Sequence, residues 1–141
     1  MVIVAAVDRS DRRASVIKEA ETLANAFDDV VHVVHVLTRS EFVNLGRTSA
    51  EKNDPIDMER IRNVASDIAA DAAADLDVPF EPVGLVGEPA SRITDYAEKQ
   101  DARYIVVSGR KRSPTGKALF GSVTQTMLLN AERPVVTAIT E

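Results

Sequence analysis

The sequence predicts an α/β fold: a single-layer, five-stranded parallel sheet with helices on both faces, forming an α/β/α sandwich. Apolar runs of strand length alternate with segments of helical periodicity, in the order β-α-β-loop-α-β-α-β-α-β. This alternation is typical of parallel sheets joined by right-handed crossovers. The 141 residues suit one compact unit, so we expect residues 1–141 to form a single domain.

The first half of the chain predicts two buried strands, a helix between them and a long loop. Residues 2–7 (VIVAAV) and 30–37 (VVHVVHVL) are the continuous apolar runs expected of strands that are buried on both faces. Residues 38–55 are polar and aperiodic, which predicts a long loop. Loops of this length are uncommon in compact domains and often have a functional role. Apolar residues recur at helical spacing between the two strands: Val16, Ile17, Ala20, Leu23, Ala24 and Phe27.

The second half predicts three strands and three helices. A long helical pattern runs from Met58 to Leu76, and residues 78–86 follow as a strand whose two prolines favour a sheet edge. Pro89 is well placed in the first turn of the next helix. The remaining elements are a buried strand over 103–107, a helix over 121–130 and a last strand over 134–140.

Composition limits the classes of function. The net charge of −5 and the pI near 5.1 argue against nucleic-acid binding, which usually requires a basic domain. The chain has no cysteine and therefore no disulfide or thiolate metal site, which fits a reducing cytoplasm, the location we expect. It begins without the basic segment of a secretion signal, and no apolar stretch approaches the ~20 residues that span a bilayer, so we expect no membrane partner.

The sequence indicates neither catalytic residues nor a metal site. His32 and His35 resemble a metal pair, but three positions apart on a strand they point to opposite faces. Each is better interpreted as a packed or edge histidine. The aspartates lack the spacing of a calcium loop, and no Ser-His-Asp or Cys-His set can be assembled. An enzyme is therefore the least favoured class, with weak ATP hydrolysis as its upper limit.

A basic segment stands out in this acidic chain: SGRKRSPTGKALFGS, residues 108–122. The segment does not match the Walker P-loop pattern G-x-x-x-x-G-K-[ST]. Lys111 occupies the position of the first glycine, and Ala118 occupies the position of the serine or threonine after Gly116-Lys117. A more general mechanism remains, since the segment leaves a strand and ends at a helix start, where free N–H groups favour an anion. In the alternative interpretation, Ser122 is an ordinary N-cap and the cations belong to a solvated turn.

Four segments, in this order and spacing, resemble the universal stress protein family. They are VIVAAVDRSDRRAS, VVHVVHVL, GEPASRITDYAEKQDARYIVVSGR and GKALFGSVTQTMLLNAERPVVTAI, which together span nearly the whole chain. The resemblance implies the strand order 3-2-1-4-5 and a cytoplasmic stress-response protein. It also implies a homodimer, for which the C-terminal strand is a candidate edge.

Many members of this family bind ATP, with Mg²⁺, or AMP above strands 1 and 4. The resemblance then places the acidic residue after strand 1 near the nucleotide, strand-2 backbone against adenine, and the loop after strand 4 with the Gly-Ser helix start against ribose and phosphates. Only the final Gly-Ser of the family pattern G-x-x-G-x9-G-[ST] is intact here. The alternative is therefore a member without nucleotide binding that acts through dimerisation or partner contacts. The candidate binding residues are Ala6, Val7, Asp8, Val36, Val107, Ser108, Gly109, Arg110, Lys111, Gly121, Ser122, Val123 and Thr124.

Overall fold

The structure is a computed structural model that describes residues 1–44, 58–111, 118–119 and 121–140; for residues 110, 111, 118, 119 and 140 it describes the backbone alone. Residues 39–44 are helical and are called α2. The other elements, in chain order, are β1 (Val2–Ala6), α1 (Arg13–Phe27), β2 (Val30–Leu37), α3 (Met58–Ala72), β3 (Phe80–Val86), α4 (Pro89–Lys99), β4 (Tyr104–Lys111), β5 (Ala118–Leu119), α5 (Ser122–Asn130) and β6 (Val135–Thr140).

Five long strands form one parallel sheet in the order β3-β2-β1-β4-β6, which is the predicted 3-2-1-4-5 order when the long strands alone are counted. Ala5 of β1 is paired with Val33 on one side and Val106 on the other. β3 lies at a sheet edge, as its prolines predicted. The order reverses at β1, because the chain builds β2 and β3 on one side of it and then returns to place β4 on the other.

The core has one layer on each face of the sheet, because alternate strand residues point in opposite directions. Odd-numbered residues of β1 and β2, such as Ile3 and Val33, pack with α1 and the end of α3. Even-numbered residues, such as Val4 and Val34, pack with α4 and α5. Helices therefore cover both faces, and the fold class predicted from the sequence is confirmed. None of the described helices has the length and apolarity needed to cross a membrane.

The sequence predicted that the basic segment is a loop beginning at Ser108, and the structure differs from this prediction. β4 continues to Lys111, and β5 forms a short antiparallel ladder with its end, pairing Arg110 with Leu119. The physical reason is the neighbouring strand: β6 offers parallel partners to β4 as far as Thr140, opposite Arg110, so the ladder holds this polar sequence extended. The centre of the segment, residues 112–117, lies outside the described residues.

The prediction of a loop over residues 38–55 is also wrong at its start, because α2 begins there. Thr38 and Glu41 form a capping box: Glu41 N donates to Thr38 Oγ1 (3.3 Å), and Glu41 Oε1 accepts from Thr38 N (3.4 Å). The T-x-x-E signature of this cap is present in the sequence but was missed because no apolar period follows it. Residues 45–55 lie outside the described residues. The long helix α3 is shorter than predicted, ending at Ala72 instead of Leu76.

Candidate functional site

A cleft of about 240 Å³ opens at the carboxyl ends of β1, β2 and β4, where the strand order reverses. Open α/β sheets bind ligands at this position, because the loops that follow adjacent strands diverge there. The described residues lining it are Ala6, Val7, Asp8, His35, Val36, Thr38, Glu41, Pro89, Ile93, Val107, Ser108, Val123, Thr124 and Met127.

The structure brings most of the predicted site residues together around this cleft. Gly109 is buried within β4, paired in register with Ile139. Gly121 and Ser122 are exposed at the start of α5, next to lining residues. For Arg110 and Lys111 only the backbone in β4 is described. The predicted residues that line the cleft are Ala6, Val7, Asp8, Val36, Val107, Ser108, Val123 and Thr124.

Sequence reasoning missed a second set of lining residues: His35, Thr38, Glu41, Pro89, Ile93 and Met127. Pro89, Ile93 and Met127 carry ordinary helix patterns, so nothing in the sequence shows that they reach this cleft. Thr38 and Glu41 could have been found from their capping-box spacing, directly after the end of a buried strand. His35 was assigned a packing role, which its burial supports.

Asp8 shapes the turn that follows β1. Its Oδ1 accepts hydrogen bonds from the backbone N–H of Ser10 (2.8 Å) and from the Ser10 hydroxyl (2.5 Å). The N-cap of α1 is Arg12, without a side-chain cap, so neither Asp8, Ser10 nor Asp11 caps that helix. The turn holds the Asp8 carboxylate at the rim of the cleft.

Among the described residues, no side chain caps the start of α5. Gly121, not Ser122, is the N-cap, so the interpretation of Ser122 as an ordinary cap is wrong. Gln125 N donates to Gly121 O (3.0 Å), the first hydrogen bond within the helix. In the described part of the chain, the earlier N–H groups of Ser122, Val123 and Thr124 have no acceptor.

Thr124 connects the start of α5 to the sheet. Its buried hydroxyl donates to the Ser108 carbonyl (3.0 Å), which fixes the helix beside the carboxyl half of β4. The Gly121 backbone is extended (φ −65°, ψ 167°), a conformation open to any residue, and a Cβ added there meets nothing within 4 Å among the described residues. Packing therefore does not require glycine at this position.

His35 and Glu41 carry the hydrogen-bonding groups on the β2 side of the cleft. His35 Nδ1 lies 2.9 Å from the Val7 carbonyl, which only accepts, so Nδ1 carries a proton and donates it to this hydrogen bond. Glu41 Oε1 accepts from the Thr38 hydroxyl (3.2 Å). Glu41 Oε2 lies 3.5 Å from Arg9 Nη2, an ion pair without a hydrogen bond.

His32 lies apart from the cleft. Its Nδ1 is 2.6 Å from the Tyr96 hydroxyl of α4, and its Nε2 is 3.4 Å from Glu81. Burial, with a smaller effect of the Glu81 charge, raises the pKa of Tyr96 to about 12, so the phenol stays protonated at neutral pH. The two histidines contact different faces, as their spacing predicted, and the described residues contain no cluster of three metal-ligating side chains.

Fold and cleft together define a doubly wound α/β fold with a cleft at its strand-order reversal. The family model described as "Universal stress protein family" matches residues 1–138, and the chain belongs to that family. A universal stress protein of Archaeoglobus fulgidus is 34% identical with a TM-score of 0.68, and the match covers 96% of each chain.

Two further relatives are similar over most of their length. A universal stress protein of Methanocaldococcus jannaschii is 29% identical over 137 residues, 95% of this chain and 79% of the relative. A universal stress protein from A. fulgidus, solved in complex with dAMP, is 26% identical with a TM-score of 0.59, over 96% of this chain and 94% of the relative.

Proposed function

We propose that this protein binds an adenine nucleotide, AMP or ATP with Mg²⁺, in the cleft above β1, β2 and β4, and that it serves the stress response as a cytoplasmic ligand-binding protein. The observation that carries the proposal is the start of α5, where the described residues supply neither a cap nor an acceptor for the first N–H groups, beside an apolar cleft. Such groups and the helix dipole favour phosphate. The dAMP complex of the A. fulgidus relative supports the same ligand class.

The shape and lining of the cleft suggest an orientation for the nucleotide. Its volume of about 240 Å³ is below the ~300 Å³ at which small-molecule pockets usually begin, so it suits a base and ribose better than a whole nucleotide. The base would lie against Ala6 and Val36, near Asp8. The phosphates would extend along Ser108 and the start of α5, formed by Gly121, Ser122, Val123 and Thr124. Gly109, Arg110 and Lys111 stay phosphate contacts predicted from the sequence.

Gly121→Asp tests this proposal because it should move stability and affinity in opposite directions. An aspartate at an N-cap accepts a hydrogen bond from the helix start, and the extended backbone at this position permits it. We expect the free energy of unfolding to rise by a few tenths of a kcal/mol, through a better cap and a less flexible unfolded chain. The same carboxylate occupies the phosphate-binding amides, so AMP affinity should fall at least about tenfold, or ~1.4 kcal/mol.

Calorimetric titration with AMP and ATP measures the affinity, and urea unfolding measures the stability. Gly121→Ala is the matched control: its methyl group meets open space, so binding should change by less than about twofold, within the usual range of neutral surface substitutions. Wild-type protein that binds neither nucleotide, or a Gly121→Asp variant that binds AMP as wild type does, would contradict the proposal.

We further propose a homodimer formed through β6. Among the described strands, β6 pairs only with β4, so its other edge is open. Ile139 on β6 and Leu128 and Leu129 on α5 expose apolar side chains, Leu129 to 78%. An open strand edge favours pairing with a second chain, and exposed apolar side chains favour burial in an interface.

A further inference from the structure

One ion pair connects two segments that border the cleft. Arg9 belongs to the turn after β1, and its Nη2 lies 3.5 Å from Oε2 of Glu41, a residue of α2 that lines the cleft. Asp8, which precedes Arg9 in the chain, also lines the cleft. The pair therefore joins the segments that follow β1 and β2, at the edge of the sheet where the cleft opens.

The two sides of this ion pair are held differently. The turn after β1 is fixed by the two hydrogen bonds to Asp8 Oδ1, and a few residues later Arg13 Nη2 lies 3.2 Å from Asp71 of α3. The α2 helix spans only residues 39–44, too few to be stable without tertiary contacts. Its Phe42 packs against a small buried cluster. We therefore expect α2, and not the turn, to be the side that moves.

Glu41 Oε2 is buried, although its partner Arg9 is largely exposed. This oxygen accepts no hydrogen bond from the described residues, and the Arg9 side chain that carries the opposite charge is 62% exposed. A buried carboxylate oxygen that loses its counter-ion is costly, and it regains partners by reaching water. Glu41 reaches water only if its side chain leaves the capping box or α2 moves, and either change loosens α2.

We propose that the Arg9–Glu41 ion pair holds α2 against the turn after β1 and thereby limits the passage of ligands into and out of the cleft. When salt separates the two charges, α2 moves and the cleft opens. Because the pair lies outside the contacts assigned to the ligand, its loss should change binding rates more than affinity. The part that concerns ligands rests on the proposed function, whereas the motion of α2 is measurable without a ligand.

Hydrogen exchange of the α2 amides tests the first step. The Phe42 amide, bonded to Thr38 O at 3.0 Å, reports on the opening of α2. Arg9→Gln leaves Glu41 Oε2 without its counter-ion, so α2 exchange should become about three- to fivefold faster, the upper range for partly exposed ion pairs. Salt at ~1 M, which screens charges beyond ~3 Å, should speed exchange in the wild type and not in this variant. Lys18→Gln, at an exposed position of α1, removes the same charge and should exchange as wild type does.

A double-variant cycle separates the ion pair from other effects of each change. Glu41→Gln removes the buried charge and keeps the capping box, in which glutamine also serves. In that background, Arg9→Gln should change α2 exchange by less than about twofold, because the charge it would leave unpaired is absent. Arg9→Lys should restore exchange to within about twofold of wild type, since the pair contains no hydrogen bond that requires a guanidinium.

Stopped-flow mixing with a ribose-labelled fluorescent AMP tests the second step. Arg9→Gln should raise the association and dissociation rate constants by about threefold each, which leaves the dissociation constant within about twofold of wild type. Lys18→Gln should keep both wild-type rates. A change that only damaged the site would instead weaken binding through faster dissociation, with no gain in the association rate.

The outcomes separate this inference from the proposed function. Unchanged α2 exchange in Arg9→Gln, or an equal effect of this change with and without Glu41→Gln, would overturn the inference. Faster α2 exchange with unchanged binding rates would also overturn it, because the pair would then hold α2 without limiting access. If no nucleotide binds to the wild type, the proposed function and the access role both fail, and the exchange measurements still decide whether the pair holds α2.

Discussion

Asp29 and Arg103 form an ion pair beside the amino-terminal ends of β2 and β4. Arg103 Nε donates to Asp29 Oδ2 at 2.6 Å, and the Asp29 side chain is only 1% exposed. The guanidinium also lies over the Phe27 ring, 4.3 Å from its centroid. The hydrogen bond from Arg103, assisted by the α-amino group of Met1, holds the pKa of Asp29 below its ordinary value. The folded protein therefore stabilises the ionised carboxylate.

This lowered pKa predicts how stability depends on pH. A carboxyl group with a lower pKa in the folded state contributes stability that is fully present above its unfolded pKa, near 4, and is lost as the pH falls through the folded value. Asp29→Asn should reduce the free energy of unfolding at pH 7 and flatten its decline below about pH 4. Urea unfolding between pH 2 and 7 measures both effects.

Asp28→Asn is the matched control for this prediction. Asp28 is exposed and adopts a left-handed backbone (φ 56°), which asparagine tolerates as well as aspartate does. Its stability at pH 7 should change by less than about 0.5 kcal/mol. A loss in Asp28→Asn as large as that in Asp29→Asn, or an acid limb unaffected by Asp29→Asn, would show that the ion pair contributes nothing specific.

Residues that the sequence predicts for the site lie at the cleft where the prediction depended on strand ends, and their binding role stays a prediction. Asp8 and Val36 could be placed there because apolar runs mark their strands and parallel strands end at a common edge. Their hydrogen bonds could not be predicted. Whether Ser122 or Gly121 caps α5 depends on a one-residue shift of the helix start, which the local sequence does not determine.

At the scale of elements, Gly84 sets how closely α3 approaches β3. A Cβ built on Gly84 would lie 2.2 Å from Arg62 O and 2.5 Å from Ser66 N, both backbone atoms of α3. Such atoms move only if the whole helix moves. The absence of a side chain at this position is therefore what allows α3 to cover the edge strand and the end of β2.

Gly84→Ala should strongly destabilise the protein because it separates α3 from the sheet. Overpacking a core typically costs 1–3 kcal/mol, and contact with fixed backbone places this change at or above about 3 kcal/mol. Chemical denaturation measures the loss. Gly121→Ala is the control: its Cβ meets open space, and we expect it to lose no more than about 1 kcal/mol, since alanine is only a poorer N-cap than glycine. Equal stability of the two variants would mean that α3 moves away from β3 at little cost.

The elements also show where sequence patterns stop being informative. Buried strands and long amphipathic helices could be predicted because burial imposes their periods, as in β2 and α4. The extension of β4 through Arg110 and Lys111 could not, since it depends on β5 and β6, which lie later in the chain. The α2 helix is too short and polar to show a period, and its capping box is the single local signal.

At the scale of the whole molecule, the two edges of the sheet differ. β3 contains Pro82, which cannot donate to a neighbouring strand, and α3 packs against it. The β6 edge, VVTAIT, contains no proline within its bounds, and its Ile139 is 40% exposed. A natural β edge without protection tends to be covered by another chain. The asymmetry favours β6 as the edge that pairs in the proposed homodimer.

The double variant Leu129→Asp, Ile139→Lys should convert that dimer into a monomer. Leu129 is 78% and Ile139 is 40% exposed in the single chain, so charged replacements should change the stability of the monomer little. Burying the same charges at an interface without matched partners is unfavourable. We expect at least a tenfold rise in the dimer dissociation constant, measured by sedimentation velocity across a concentration series. Val30→Lys, at the exposed amino end of β2 away from β6, should leave the dimer intact. Two outcomes would show that the β6 edge is not the contact: a wild type that sediments as a monomer at all concentrations, or a double variant that remains a dimer. The cleft must then function without a partner on this side of the sheet.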